Sequence, residues 1–310
     1  MSKKKARRKT THLITKKSKN DIMTFGIIGN KKKKGIDKVI TSLVGYFKNR
    51  NISYYLHDDF RDLIKSKELY SKILTMKSLL DKSDFLVSIG GDGTFLNSTR
   101  IIKHLDKPVV GINLGTLGFM SDIMPTEIDK FFDDVIQNKY KIIDLHLAKC
   151  TVNGKYAFDA LNEIVIDKAD TIKMVELGIF YNKEIVGRFF ADGVLVSTPT
   201  GSTGYSLSAG GPIITPFSKV FIITPICPHS LNFRPVIVPD SGKITIKSYN
   251  DVKVRITPDG YKGLIREAPL EIVIEKSEHF IKSVKKLNWS FFNTLNEKLL
   301  WGEDIRKGKR

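Results

Sequence analysis

The chain has 310 residues, 41% of them hydrophobic, with 51 Lys and Arg against 33 Asp and Glu, a formal charge of +18. That length suits two domains with a sizeable core, which excludes a largely disordered protein. The longest apolar run, residues 220–227, is broken by Thr224 and Pro225 and falls far short of the ~20 residues a membrane-spanning helix needs, so no membrane is expected as a partner.

In chain order, residues 1–22 read as a basic, disordered leader: residues 1–20 hold nine basic residues and no acid. The leader lacks the apolar stretch of a secretory signal. Met23 then opens MTFGIIGN, an ordinary beginning, so the leader is expected to be a dispensable extension or a misassigned start. Without it, 42 Lys and Arg stand against 32 Asp and Glu. Lys outnumbers Arg 40 to 11, as AT-rich coding would produce. A single-stranded nucleic-acid surface interleaves basic with aromatic residues, and the leader has no aromatic; nucleic acid is therefore not an expected partner. Cys150 and Cys227 are far apart and form no CxxC, which places the chain in a reducing cytoplasm.

Residues 23–140 read as an α/β domain. Short apolar strands are predicted at 24–29, 52–56, 85–89 and 109–112. Between them, Ile36, Val39, Ile40, Leu43, Val44 and Phe47 recur at helical spacing, as do apolar residues over 95–105. A capping pattern at 126–129 opens a further helix to about residue 138. Alternating strands and helices imply a parallel sheet with helices on its faces. Residues 141–276 read instead as a β-rich domain, with Asn153-Gly154 as a hairpin turn. Residues 277–310 form a C-terminal tail with Phe291, Leu295, Leu299 and Leu300 on one stripe, expected to pack back on the first domain.

Two constellations carry chemistry. Gly90-Gly91-Asp92-Gly93-Thr94 sits between a buried strand and a helix start, where glycines let backbone N–H groups approach a phosphate and the helix N-terminus favours negative charge. A carboxylate would repel a phosphate in such a turn unless it also served the chemistry, by holding a metal on the phosphates or by accepting a proton from an attacking hydroxyl. A plain turn with Asp92 as helix cap is the simpler reading of those five residues alone. The second constellation, residues 192–212 (DGVLVSTPTGSTGYSLSAGGP), runs from a strand into clustered hydroxyls and glycines around Tyr205, a loop suited to a sugar and base. Asn162-Glu163 places an amide beside a carboxylate at the head of another strand.

GGDGT (90–94), LGTLGF (114–119), NE (162–163) and DG…STPTGSTGYSLSAGGP (192–212) together resemble the NAD kinase family in order and spacing, over about residues 22–275. The long second motif is highly specific; GGDGT alone is shared with lipid kinases and phosphofructokinases. The resemblance implies an NAD kinase/diacylglycerol kinase-like architecture, in which ATP phosphorylates the adenosine-ribose 2′-hydroxyl of NAD with a divalent cation, expected to be Mg²⁺ held mainly by the nucleotide phosphates, giving NADP and ADP. It implies Asp92 as proton acceptor, Gly93 against the dinucleotide, and Gly90, Gly91 and Thr94 in the phosphate loop. Asn162 and Glu163 would bind the adenine or ribose side, and Asp192 the nicotinamide side. Thr203, Gly204, Tyr205, Ser206, Leu207 and Ser208 would wall the adenine site, and Lys173 would add a polar contact. It also implies a homodimer or tetramer built through the second domain. Tyr261 and Phe190 depart from the Gln and Arg common at those places, which leaves the choice between NAD and NADH open. Two other readings compete. A diacylglycerol-type lipid kinase would share GGDGT but lack the hydroxyl-rich 200–208 loop, and a nucleic-acid-binding protein is suggested only by the charge.

Overall fold

The computed structural model describes residues 23–230 and 232–301; the expected leader, residues 1–22, lies outside them. In the first half follow β1 (Thr24–Gly29), α1 (Ile36–Asn49), β2 (Ser53–His57), β3 (Ile73–Leu74), α2 (Met76–Lys82), β4 (Phe85–Gly90), α3 (Asp92–Ile102), β5 (Val109–Asn113) and α4 (Ile128–Ile136). β1 pairs in parallel with β2 and β4, β2 with β3, and β4 with β5. β4 and β5 are buried at every position. Helices cover both faces of such a strand, which is why these two read as unbroken apolar runs. One core brings Leu43 and Phe47 of α1 and Phe132 of α4 onto Phe25 of β1. A separate core gathers Leu79 of α2 and Phe95 and Ile102 of α3 around Ile28 and Leu86.

The second half is β-rich: β6 (Tyr140–Val152), β7 (Lys155–Ala160), β8 (Glu163–Lys168), β9 (Val175–Tyr181), β10 (Glu184–Ala191), β11 (Gly193–Ser197), the single turn α5 (Tyr205–Ser208), β12 (Val220–Ile226), β13 (Val236–Pro239), β14 (Ile244–Ser248), β15 (Val254–Pro258), β16 (Leu264–Arg266), β17 (Leu270–Lys286) and α6 (Phe291–Leu299). Asn153 and Gly154, both at positive φ, join β6 to β7 as an antiparallel hairpin. A six-stranded antiparallel sheet has the order β13-β12-β11-β8-β15-β16. Its inner residues, such as Val194, Ile223 and Ile256, share one core with Leu177, Ile246 and Ile272 of the other sheet.

β17 joins the halves. Its first residues pair with β14, its length pairs with β6, and Ser283 pairs in parallel with Val109 of β5. One eleven-stranded sheet thus runs through both halves. Residue 276, where the sequence reading ends the second domain, lies inside this strand. α6 follows, and residues 302–310 lie outside the described chain.

Two helix starts differ from the spacing. α3 begins at Asp92, three residues before its first apolar residue, because Gly91 is extended (φ −148°) and serves as the N-cap. α4 is preceded by one 3₁₀ turn, Pro125–Glu127, and the Glu127 carboxylate accepts from the Met124 N–H at 3.1 Å.

Phe132 is fully buried, edge-on to Phe25 at 5.3 Å and to Phe47 at 5.1 Å between ring centroids. Truncation there leaves a cavity beside the Phe25 and Phe47 rings, which are themselves fully buried. F132A is expected to cost about 3–5 kcal/mol, read as a lower urea midpoint at unchanged slope.

Candidate functional site

The loops leaving β4 and β5 lie side by side, with the Leu114 N–H donating to the Gly90 carbonyl at 2.6 Å. α3 starts at once beyond β4, and no side chain caps it. A Cβ added at Gly93 would meet nothing within 4 Å, and one at Gly91 only Asn113 Oδ1 at 3.9 Å. The first turn of α3 therefore faces open space with uncapped amides, an arrangement that receives phosphate. Thr94 turns inward and is buried against Gly90, where a Cβ would clash with its hydroxyl.

Asp92 does not cap its own helix. Its carboxylate crosses to the segment after β5, where Oδ1 accepts from the Met120 N–H (3.1 Å) and the Ser121 N–H (3.0 Å), and Oδ2 from the Phe119 N–H (2.9 Å). Lys298 of α6 adds an ammonium 3.0 Å from Oδ2. Burial pushes the Asp92 carboxyl up, but Lys298 and the N–H bonds outweigh it and the net shift is downward, so the group is held ionised. The same loop is gripped from its other side by Lys285 of β17, which donates to the Phe119 and Met120 carbonyls and to Asp122 at 2.9 Å. Lys285 and Asp122 are both almost wholly buried.

A second wall rises from β8 and the loop after β11. Asp259 sits at positive φ beyond β15 and accepts N–H bonds from Leu161 (2.9 Å), Asn162 (2.7 Å) and Glu163 (3.2 Å). That fixes the Asn162-Glu163 backbone. Gly201 lies so close that a Cβ would come 2.1 Å from the Asn162 carbonyl oxygen. Within the 198–208 loop several hydroxyls are engaged within the protein. Thr198 donates to the Leu161 carbonyl at 2.6 Å, Ser202 to the Pro199 carbonyl at 2.7 Å, and Ser206 lies inward 3.4 Å from Thr224. The Ser206 hydroxyl thus turns away from the surface that Tyr205 and Ser208 expose. Asn162 Oδ1 and Glu163 Oε2 are buried without a protein partner. Gly204 packs over both side chains, and the Tyr205 ring stands near enough to feel the charges of Asp167, Asp192 and Glu163. Burial first, and then Asp259, push the Glu163 carboxyl up to about 7.

The structure therefore brings Asn162, Glu163, Gly204, Tyr205 and Asp192 together. Asp192 is engaged by Lys168 at 2.6 Å. The turn at 90–94 joins them through the Asp92 loop: Phe119 and Met120 line one cavity with Pro199, Thr200 and Thr203. Leu207 is half-buried beside this group. Lys173 is exposed, and its backbone N–H donates to the Thr171 hydroxyl at 3.1 Å. Tyr261 is exposed and carries the Arg100 guanidinium 3.7 Å from its ring centroid; Phe190 is also exposed. Sequence reasoning missed Lys285, Lys298, Asp122 and Asp259. The signals were present but faint: Lys285 falls in the inward phase of Ile281 and Ser283, and Lys298 on the buried stripe of Phe291, Thr294 and Leu295.

Two family models match the chain, the ATP-NAD kinase N-terminal domain over residues 25–140 and the ATP-NAD kinase C-terminal domain over residues 161–286. An NAD kinase of Christiangramia forsetii is 35% identical over 293 residues, covering 92% of this chain and all of that protein. One of Bacteroides fragilis is 37% identical over 264 residues, 83% of this chain and 88% of the relative. Among solved structures, yeast NADH kinase complexed with NADH superposes with a TM-score of 0.83 at 28% identity, covering 94% of this chain and 91% of that one. An Archaeoglobus fulgidus NAD kinase in complex with ATP gives 0.65 at 26% identity, covering 89% and 99%.

Two outcomes follow from the geometry. A Cβ at Gly118 would come 2.1 Å from Asp92 Oδ1 and 2.9 Å from the Ser121 carbonyl oxygen, so neither backbone nor carboxylate can give way freely. G118A is expected to lose about 1–3 kcal/mol of stability in urea unfolding. Glu163 binds its proton more tightly folded than unfolded. Its contribution therefore costs nothing below the ordinary glutamate range, grows as pH rises toward 7, and is constant above it. E163Q removes that cost, so its melting temperature relative to wild type should rise between about pH 4.5 and 7 and then level off.

Proposed function

We propose that this chain, which belongs to the ATP-NAD kinase family, is an NAD kinase: it transfers the γ-phosphoryl group of ATP to the 2′-hydroxyl of the adenosine ribose of NAD, giving NADP and ADP. One observation carries the reading. The Asp92 carboxylate, ionised and held by three N–H bonds, stands at the base of an open helix N-terminus, and the loop that holds it lines a cavity with the 199–203 segment. A phosphate donor at the first and a nucleoside at the second would meet over Asp92.

In this reading the 2′-oxygen attacks phosphorus, its O–H proton passes to Asp92, and the bond from phosphorus to the β,γ-bridging oxygen breaks with its electron pair leaving on ADP. A loose transition state asks little of the base, which suits a carboxylate whose basicity is lowered by its donors; positioning does most of the work. Both Asp92 oxygens are engaged and Asp122 Oδ1 is bonded to Lys285, and among the described residues the carboxylates around the turn are not gathered into a cage for a resident ion. This donor set suits Mg²⁺ entering as the ATP complex, its charge carried on the phosphates. The unpartnered Asn162 Oδ1 and Glu163 Oε2 offer polar contacts to adenine or ribose, with Tyr205 as an aromatic face. Exposed Val236 and Ile237, neighbours on the edge strand β13, support assembly into a dimer or tetramer through the second half, and the two free cysteines support a reducing cytoplasm.

The test is NADP formation from NAD, ATP and Mg²⁺, read by an NADP-specific dehydrogenase, with NADH as a parallel acceptor. Wild type should produce NADP, and no signal above a no-enzyme control would overturn the assignment. D92N should lower turnover about 10²–10⁴-fold. Because the substituted amide would also turn an N–H toward the donors at 119–121, its loop should loosen too.

A further inference from the structure

α6 buries Phe291, Thr294 and Leu295. Lys298 stands seven residues after Phe291 and four after Thr294, so helical spacing puts it on that same inward stripe. There its ammonium lies 4.7 Å from the centre of the Phe119 ring and 3.0 Å from Asp92 Oδ2. Other contacts also hold α6 and Asp92 at this point. α6 is already docked by Phe291 against Phe119, with ring centroids 6.1 Å apart, and capped by Ser290. Asp92 already has three backbone donors. A partly exposed ion pair adds little to stability. A positive charge at this spot matters most for whatever anion comes to Asp92. Of the three N–H donors of Lys298, one is spent on Asp92, and the other two have no partner among the described residues.

We propose that Lys298 is a catalytic cation of the phosphoryl transfer, its ammonium spanning the Asp92 carboxylate and the γ-phosphoryl oxygens of bound ATP. The role rests on the NAD kinase reading and deepens it. Lys298 changes none of the bonds made or broken: the hydroxyl proton still goes to Asp92 and the electron pair to ADP. It neutralises charge on the transferring group while holding the accepting carboxylate beside it, so the C-terminal helix supplies part of a site whose turn lies some two hundred residues earlier.

The test uses the full chain with K298M, which keeps the stem, and K298R, which keeps the charge. K298M should melt close to wild type, keep its KM for NAD, and lose turnover on the order of 10²-fold, as for removal of one preorganised donor. By calorimetry with Mg²⁺, K298M should weaken ATP more than ADP, because only ATP carries the γ-group, and K298R should recover most of the lost turnover. Wild-type turnover in K298M, or equal losses for ATP and ADP that K298R fails to recover, would overturn the proposal. A wild-type control that makes no NADP would instead overturn the NAD kinase reading itself, and the role of Lys298 with it.

Discussion

The peptide segment at 119–121 is held between opposite charges, and the rest of the site depends on that grip. Its N–H groups point to the Asp92 carboxylate and its carbonyls to the Lys285 ammonium. Each charge is stabilised by peptide dipoles that would otherwise be unsatisfied at a loop, and the loop in turn cannot move without exposing a buried charge. Lys285 comes from β17, far along the chain, so the first half's phosphate turn is completed only when the second half's long strand is in place. The continuous sheet is thus a mechanical requirement of the site: the strand that crosses from β14 past β5 is the strand that carries the lysine.

The second wall uses the same device with one sign. Asp259 gathers three successive N–H groups at 161–163, fixing the backbone over which the 198–204 loop closes. Loop and strand approach so closely at Gly201 that no side chain fits. Of the clustered hydroxyls, which read from sequence as ligand groups, Thr198, Ser202, Thr203 and Ser206 are engaged within the protein. This rigidity makes a precise surface from a segment with little regular secondary structure, and it leaves Tyr205 exposed over Asn162 Oδ1 and Glu163 Oε2, which are buried without a protein partner.

Much of this was legible in the sequence, and what was not has a common cause. Apolar period marked the alternating first half, and Asn153-Gly154 marked the hairpin of β6 and β7, because those signals are local. Asp92 was legible as a residue of consequence because a carboxylate among glycines is chemically odd. Its surroundings were not, since Lys298, which meets it, lies 206 residues away, Lys285, which grips the same loop from the other side, lies 193 away, and each looks like one more lysine in a chain that has 40. Asp259 was hidden for another reason. Pro-Asp-Gly reads as an ordinary turn, and only its burial under β8 shows that the side chain is the point. Long-range charge pairing leaves no periodic trace, so the sequence shows the walls of the site and not the braces between them.

The opening charge of +18 takes on a different meaning inside the site. Asp92 is matched by Lys298, Asp122 by Lys285 and Asp192 by Lys168, and Asp259 feels the positive charge of Arg100. Each of these carboxylates thus has a cation beside it, which keeps the ligand-free site from being a bare polycation. Glu163 differs. No cation offsets its burial, Asp259 adds to the strain, and its carboxyl is pushed up to about 7. Near neutral pH a substantial fraction of it carries a proton, so beside an unpartnered Asn162 oxygen it can donate a hydrogen bond. A nucleobase edge or ribose presents both donors and acceptors, and this pair of side chains matches that mixed demand in a way that a pair of ionised carboxylates would not.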